Sequence, residues 1–226
     1  MSTHDEATEV RTDQEPDALA YYGSQLMVAR DQQGRLAEIV ELIADLADQN
    51  PGMPVYKAVL TWAHLEAGDE PTARQQFNVA ADGGFDLPQD SIWIDGMMCY
   101  ASVAAQLRLI GPAEDLLAKL APYHDQVACQ GVTFRETVAT YVGGLASILE
   151  RYDEAERHFA EADALTVRGG MAYARALNDL WWGRMLESRG AGHREQADLR
   201  LGRARSAAHA HGYALVEKRA SALLRQ

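Results

Sequence analysis

The sequence predicts an all-α protein built from five helical hairpins and a C-terminal capping helix. First, apolar residues recur at helical spacing along most of the chain, most clearly between Val138 and Ala162. Second, no alternation of apolar and polar residues is long enough to predict a useful strand. Third, turn positions recur at intervals of 34 to 43 residues, which is typical of a helical repeat with variable loops. These turns are centred on Gly34, Gly68, Gly111, Glu150 and Gly190.

The segment from Val138 to Ala162 divides into two amphipathic helices joined near Glu150. The apolar face of the first helix is formed by Tyr141, Leu145, Ile148 and Leu149, and that of the second by Ala155, Phe159 and Ala162. Gly143 is small enough to let the two helices approach closely, and Phe159 is large enough to fill the space between them. A single hairpin cannot bury both of its apolar faces, so it must pack against neighbouring hairpins.

Proline and glycine mark the boundaries of the other helices. Gly34 follows the first helix and Pro54 opens the third, which are the positions that these residues favour. The hairpins begin near residues 17, 54, 88, 138 and 171, and the capping helix runs from Tyr213 to Leu224. The predicted repeat domain therefore covers residues 17–225, and a disordered acidic tail at residues 1–16 precedes it.

The negative charge of the chain is confined to its first half. The formal net charge is −12, all of it carried by residues 1–113, whereas residues 114–226 are balanced. Because contacts with phosphates need clustered cations, this balance argues against a nucleic-acid partner. The arginines between Arg194 and Arg205 are interleaved with acidic residues, so we interpret them as the solvated face of one helix.

Cysteine content and hydropathy predict a cytoplasmic protein. Cys99 and Cys129 are the only cysteines and form no motif, which favours a reducing compartment over a disulfide scaffold. The residues from Met1 to Asp17 are polar and acidic, unlike a signal peptide. No apolar run approaches the roughly 18 residues that a membrane span needs, so no membrane partner is expected.

Two hairpins carry the same order of small and aromatic residues. One has Gly143, Tyr152, Ala155, Phe159 and Ala162, and the other has Gly68, Ala73, Phe77 and Ala80. This order resembles the tetratricopeptide repeat (TPR) family. The other three hairpins depart from it, for example by placing Ile39 and Leu116 where the family has small residues. The resemblance implies a right-handed α-solenoid with a concave, ligand-binding groove.

Three shorter segments are similar to a narrower group of proteins. They are Gln-Gly-Arg-Leu at residues 33–36, Asn-Pro-Gly-Met-Pro at 50–54, and the segment 84–93. Their order resembles the C-terminal repeat region of large bacterial signalling proteins, which join a nucleotide-cyclase or DNA-binding module to a signal-transduction ATPase. None of those modules lies within the chain. The resemblance therefore implies either an excised regulatory region or a stand-alone relative.

The TPR resemblance also implies which residues line the groove, since the first helix of each hairpin faces the concave side in that family. The implied residues are aromatic, apolar or polar: Tyr21, Ser24, Trp62, Glu66, Met98, Arg108, Thr137, Thr140 and Ser147. Such a surface suits an extended peptide or a small apolar ligand. The alternative for the tryptophans Trp62, Trp93 and Trp182 is packing between helices.

No motif for catalysis, a cofactor or a metal is present. The chain lacks a phosphate-binding loop, a Cys-x-x-Cys pair, a His-Glu-x-x-His motif and a nucleophile elbow. His158 and Glu161 share a helical face, but no second Glu-x-x-His segment completes a di-metal site, so we interpret them as exposed charges. His209 and His211 point to different faces of one helix. We therefore predict no enzymatic activity, no cofactor and no bound metal.

The favoured hypothesis is a non-catalytic module of bacterial signal transduction or transcriptional regulation. It would bind a protein, a peptide or a small effector in its groove. One alternative is a structural scaffold that self-associates, for example as a homodimer, through the acidic first half or the capping helix. The other is an all-α enzyme whose active site carries no known motif.

Overall fold

The computed structural model describes residues 18–129 and 133–225, apart from the side chains of residues 18–21 and 134. Most of these residues belong to α-helices, which confirms the predicted all-α class. The helices are α1 (Ala18–Gln32), α2 (Val40–Gln49), α3 (Val55–Glu66), α4 (Glu70–Asp82), α5 (Trp93–Leu107), α6 (Ile110–Leu120), α7 (Val138–Ile148), α8 (Tyr152–Gly169), α9 (Ala172–Arg189), α10 (Arg194–His211) and α11 (Ala214–Leu223). Short 3-10 turns at Leu36–Ile39, Ala121–Tyr123 and Ala191–His193 adjoin three of them. The predicted tail at residues 1–16 lies outside the described residues.

The segment before α7 contains a small β-hairpin that the sequence does not predict. Strand β1 (Val127–Cys129) pairs antiparallel with β2 (Phe134–Thr137), with Val127 opposite Thr137. Neither strand is long enough to show a reliable alternation. In addition, Arg135, Glu136 and Thr137 are consecutive and all buried, so β2 lacks the usual alternating pattern. The hairpin brings these polar side chains into the interior.

The contact between α7 and α8 depends on the absence of a side chain at Gly143. A Cβ atom at that position would lie 2.9 Å from Cε1 of the fully buried Phe159. The same kind of contact joins α9 to α10, where a Cβ atom at Gly183 would lie 2.6 Å from Cγ of Leu201. In both hairpins a glycine on the first helix therefore accommodates a large side chain from the second.

The first helices of successive hairpins pack side by side in the order α3, α5, α7 and α9. The first and last described helices also meet, because α11 packs against α1 as well as against α9 and α10. A Cβ atom at Gly34, just after α1, would lie 3.3 Å from the backbone nitrogen of Leu215. The first and last helices thus enclose a common interior with α3, α5, α7 and α9. No helix in the described part of the chain combines the length and apolar character needed to cross a bilayer.

Candidate functional site

Charged side chains from four helices and β2 converge in this interior, and all of them except the partly exposed Arg219 are buried. We call them the inner cluster, which consists of the acids Asp31, Glu66, Asp95 and Glu136 and the arginines Arg135 and Arg219. A cavity of about 20 Å³ adjoins the cluster and has room for roughly one water molecule. Its lining combines Asp31, Glu66 and Arg219 with the aromatic rings of Trp62, Tyr141 and Tyr173. The cluster therefore joins α1, α3, α5, β2 and α11.

Arg135 lies at the centre of the inner cluster. Its guanidinium lies over the ring of Trp62, 4.8 Å from the centroid, and donates a hydrogen bond of 3.6 Å to Sγ of Cys99. Glu136 lies 3.4 Å from its Nε, and Asp95 lies 4.0 Å from its Nη1. Burial by itself lowers the pKa of Arg135, but these acidic neighbours raise that pKa well above its ordinary value. Arg135 is therefore a permanent buried cation.

Asp31 is an acid whose charge depends on pH near neutrality. Burial, together with the nearby charges of Glu136 and Glu66, raises the pKa of Asp31 to about 7. The hydroxyl of Tyr173 donates a hydrogen bond of 2.7 Å to its Oδ2 and connects α1 to α9. A carboxyl group that titrates in this range is a common feature of functional sites, although structural networks produce it as well.

The carboxylate of Glu66 receives its positive partner from the last helix. Gln106 donates a hydrogen bond of 2.8 Å to Oε1, and Arg219 donates one of 2.7 Å to Oε2. The side chain of Glu66 is 3% exposed and that of Arg219 is 31% exposed. Because Arg219 lies on α11, the C-terminal helix neutralises a buried charge on α3.

A second cavity of about 20 Å³ lies between α5, α7 and α9. Two arginines, Arg108 and Arg184, border it together with Ser147, Ser188 and the ring of Trp181. We call this group the arginine site. The polar partner of Arg184 is the carbonyl oxygen of Gln106, which it approaches to 3.4 Å. Among the described residues, no carboxylate lies within 4.0 Å of a guanidinium nitrogen of Arg108 or Arg184.

The electrostatic environment of Arg184 is unfavourable. Burial lowers the pKa of Arg184, and the positive charges of Arg108 and Arg219 lower it further. Glu187 offsets this effect only in part, since the net shift is downward. An anion bound next to Arg184 would offset both its burial and the repulsion from the other arginines.

The backbone of Arg108 is strained. Arg108 follows α5 with φ 52° and ψ 49°, in the left-handed region where glycine or asparagine is usual at the end of a helix. For a residue with a Cβ atom this conformation costs about 1–2 kcal/mol. The chain thus holds an exposed arginine at a position where glycine would be more stable.

Four of the predicted groove residues line the two cavities. Trp62 and Glu66 border the cavity of the inner cluster, whereas Arg108 and Ser147 border the arginine site. Trp62 and Glu66 belong to α3 and Ser147 to α7, whereas Arg108 directly follows α5. Trp62 and Glu66 are enclosed by α9 and α11 rather than open to solvent.

The other five predicted groove residues lie elsewhere. Ser24 lines an apolar pocket between α1, α2 and α3. Met98, Thr137 and Thr140 are buried and border neither cavity, and the hydroxyl of Thr140 donates a hydrogen bond of 3.0 Å to Asn178. The side chain of Tyr21 lies outside the described residues. These three buried residues are part of the packed interior, where the hydroxyls of Thr137 and Thr140 also lie 2.9 Å apart.

Four central residues of these sites are missing from the sequence prediction: Asp31, Arg135, Arg184 and Arg219. One of them had a usable signal, since Asp31 follows Met27 by one helical turn and so lies on an apolar face. Arg135, Arg184 and Arg219 belong to no motif that would have singled them out. A separate group, His124, His158 and Glu161, lies outside both sites and is the one set of metal-binding side chains close enough to share an ion within the described ranges.

Comparisons with known proteins do not assign a family or a function to this chain. No protein-family model, curated protein or solved structure matches the chain. The TPR resemblance accordingly stays a prediction from the residues that carry it, and a functional assignment rests on the inner cluster and the arginine site.

Proposed function

We propose that the chain is a non-catalytic binding module whose arginine site holds the anionic group of a peptide or small effector. The observation that carries this proposal is the guanidinium of Arg184, whose pKa stays lowered although Glu187 offsets part of the effect. It borders the same cavity as Arg108, and within the described residues no carboxylate oxygen lies within 4.0 Å of a guanidinium nitrogen of either arginine. A carboxylate or phosphate between the two arginines would neutralise both and accept charge-assisted hydrogen bonds in a fork geometry.

The architecture that goes with this proposal is a right-handed α-solenoid of five TPR-like hairpins, with α11 as the cap. Support comes from the side-by-side packing of α3, α5, α7 and α9 and from the fit of Phe159 against Gly143. In this arrangement the arginine site lies on the concave side. The setting proposed for the module is bacterial cytoplasmic signalling, in a larger protein or a stand-alone relative.

The exposed guanidinium of Arg108 marks the entrance of the site. Arg184 lies deeper, and Ser147 and Ser188 provide hydroxyl groups at the same cavity. Because the cavity holds roughly one water molecule, it accommodates the head group of a ligand and not a whole metabolite. The rest of the ligand would extend outward past Arg108.

Isothermal titration calorimetry with citrate, inorganic phosphate and paired peptides tests the proposal. Each peptide pair has one sequence and differs only in a free or amidated C-terminus. We expect citrate or the free-acid peptides to bind, and we expect their affinity to decrease as the salt concentration rises. Arg184→Gln should weaken this binding at least tenfold, because a charged hydrogen bond contributes about 1.5–3 kcal/mol. Arg205→Gln, at an exposed arginine on α10, is the matched control and should change nothing.

Three results would overturn the proposal. The first is that none of these anions binds the wild-type chain. The second is that the binding persists unchanged in both Arg184→Gln and Arg108→Gln. The third is equal binding of free and amidated peptides together with no binding of citrate or phosphate, which would place recognition outside the arginine site.

Self-association is the second candidate, and an apolar pocket of about 220 Å³ between α1, α2 and α3 favours it. Met27, Ile43 and Val59 lie in its lining, and Leu42 and Met53 border it while 39% and 41% exposed. A second copy of the chain would cover this apolar surface. Sedimentation velocity at rising concentration should then detect a dimer that Leu42→Glu disrupts. A monomer at every concentration would exclude this candidate.

A further inference from the structure

Three side chains of metal-binding type meet on the outer surface where the segment after α6 approaches α8. Nδ1 of His124 lies 2.9 Å from Oε2 of Glu161, and Nδ1 of His158 lies 3.1 Å from the same oxygen. One ligand atom from each residue lies within 4.8 Å of the other two. We call this group the His–Glu site. It shares no residue with the inner cluster or the arginine site.

Local helix geometry and tertiary packing hold these three side chains close together. His158 and Glu161 are three residues apart on α8, so they share a helical face. His158 is only 13% exposed, which restricts its ring. His124 follows a 3-10 turn, its backbone N–H donates to the carbonyl of Ala121, and the preceding Tyr123 packs edge-on against Trp93. Tertiary packing therefore supplies the third ligand.

We propose that the His–Glu site binds a divalent transition-metal ion, with zinc as the expected occupant. Two imidazoles and one carboxylate match the ligand preference of zinc, whereas calcium and magnesium prefer oxygen ligands. Metal–ligand bonds of about 2.0–2.2 Å place tetrahedral ligand atoms ~3.3 Å apart. The two distances to Oε2 of Glu161 differ from that separation by a few tenths of an ångström. Water completes the coordination, because His124 and Glu161 are both partly exposed.

A bound ion would link two parts of the fold. His124 lies just before β1 and β2, whereas His158 and Glu161 belong to α8. The ion would therefore restrain the segment that leads into the β-hairpin, and β2 carries Arg135 of the inner cluster. This role differs from anion binding at the arginine site, so either proposal fails or succeeds without the other.

Cobalt titration of the full chain, tag-free and treated with a chelator, tests the site. We expect visible d–d absorption bands that saturate at one Co²⁺ per chain and disappear when Zn²⁺ is added. Zinc at a hundredfold excess over its Kd should raise Tm by roughly 5–10 °C. His124→Gln and His158→Gln should each weaken binding at least tenfold, and circular dichroism should show that both variants are folded.

The double variant His209→Gln/His211→Gln is the control, because it also removes two histidines. His209 already forms a comparable pair with Glu217 at 3.0 Å, but among the described residues this pair belongs to no group of three metal-binding side chains. The control should therefore bind cobalt like the wild type. Absence of a saturable cobalt spectrum would overturn the proposal. So would binding that survives both single substitutions, or binding that is lost in the control.

Discussion

Arg219 of α11 donates a hydrogen bond of 2.7 Å to the buried carboxylate of Glu66 on α3, although 153 residues separate the two in sequence. Glu66 also accepts a hydrogen bond from Gln106 of α5. The carboxylate of Glu66 on α3 thus connects α11 with α5. The buried charge of Glu66 is therefore neutralised when α11 is in place.

Arg219→Gln should reduce the free energy of unfolding by roughly 1–2 kcal/mol, because it leaves a buried charge without its cation. The partial exposure of Arg219 keeps this value below the cost of breaking a fully buried pair. Glu66→Gln in the same chain should recover part of the loss. A urea double-mutant cycle measures this coupling. Additivity within about 0.3 kcal/mol would mean that the pair contributes nothing to stability.

Gly143→Ala and Gly144→Ala should both destabilise the protein. The new Cβ atoms would lie 2.9 Å from Cε1 of Phe159 and 2.2 Å from Cζ3 of Trp181, respectively. Overpacking of this kind costs about 1–3 kcal/mol. The control is Gly202→Ala within α10, where a Cβ atom meets nothing within 4 Å. It should stabilise by about 0.5–1 kcal/mol in the same urea measurement. Equal effects at the three positions would contradict the packing described for α7.

Arg184→Met should make the free protein more stable by about 1 kcal/mol, since it removes the positive charge and keeps most of the apolar length. The same substitution should abolish anion binding at the arginine site. Thermal unfolding without ligand and calorimetry with citrate measure the two effects. A gain of stability together with a loss of binding is expected for a residue that serves binding but lowers the stability of the free protein. Loss of stability would indicate that Arg184 has a structural role instead.

The local architecture follows from short-range patterns in the sequence. The spacing of Ala155, Phe159 and Ala162 identifies the face of α8 that is buried, and Gly143 identifies where α7 comes closest to it. These patterns work because helical periodicity directly reports which residues face a neighbour. Trp62 and Glu66 are groove residues that the TPR resemblance implies, and in the structure both border the cavity of the inner cluster.

The closure of the interior was not predictable from these patterns. It depends on contacts such as Tyr173 to Asp31 and Arg219 to Glu66, which join residues 142 and 153 positions apart. Helical periodicity describes one hairpin at a time and contains no information on whether the first and last helices meet. The β-hairpin was missed for a related reason, because polar residues such as Arg135 are buried there by tertiary contacts.

Asp31 makes stability depend on pH between its unfolded pKa, near 4, and its folded pKa of about 7. In this range the folded chain retains a proton that the unfolded chain has released. Stability therefore decreases as pH rises, by up to ~1.4 kcal/mol per pH unit from this group alone. Below the range both states are protonated, and above it both are ionised, so the contribution is constant outside it.

Asp31→Asn should remove this dependence. Its amide oxygen accepts the hydrogen bond from Tyr173 as the carboxyl does, and it carries no charge near Glu136 or Glu66. Urea unfolding of both proteins at pH 5, 6, 7 and 8 measures the difference in their free energies of unfolding. The wild type should lose roughly 2–3 kcal/mol relative to the variant between pH 5 and pH 8. Parallel pH profiles would show that Asp31 is already ionised in the folded protein at pH 5, and that burial and the neighbouring acids do not hold its proton.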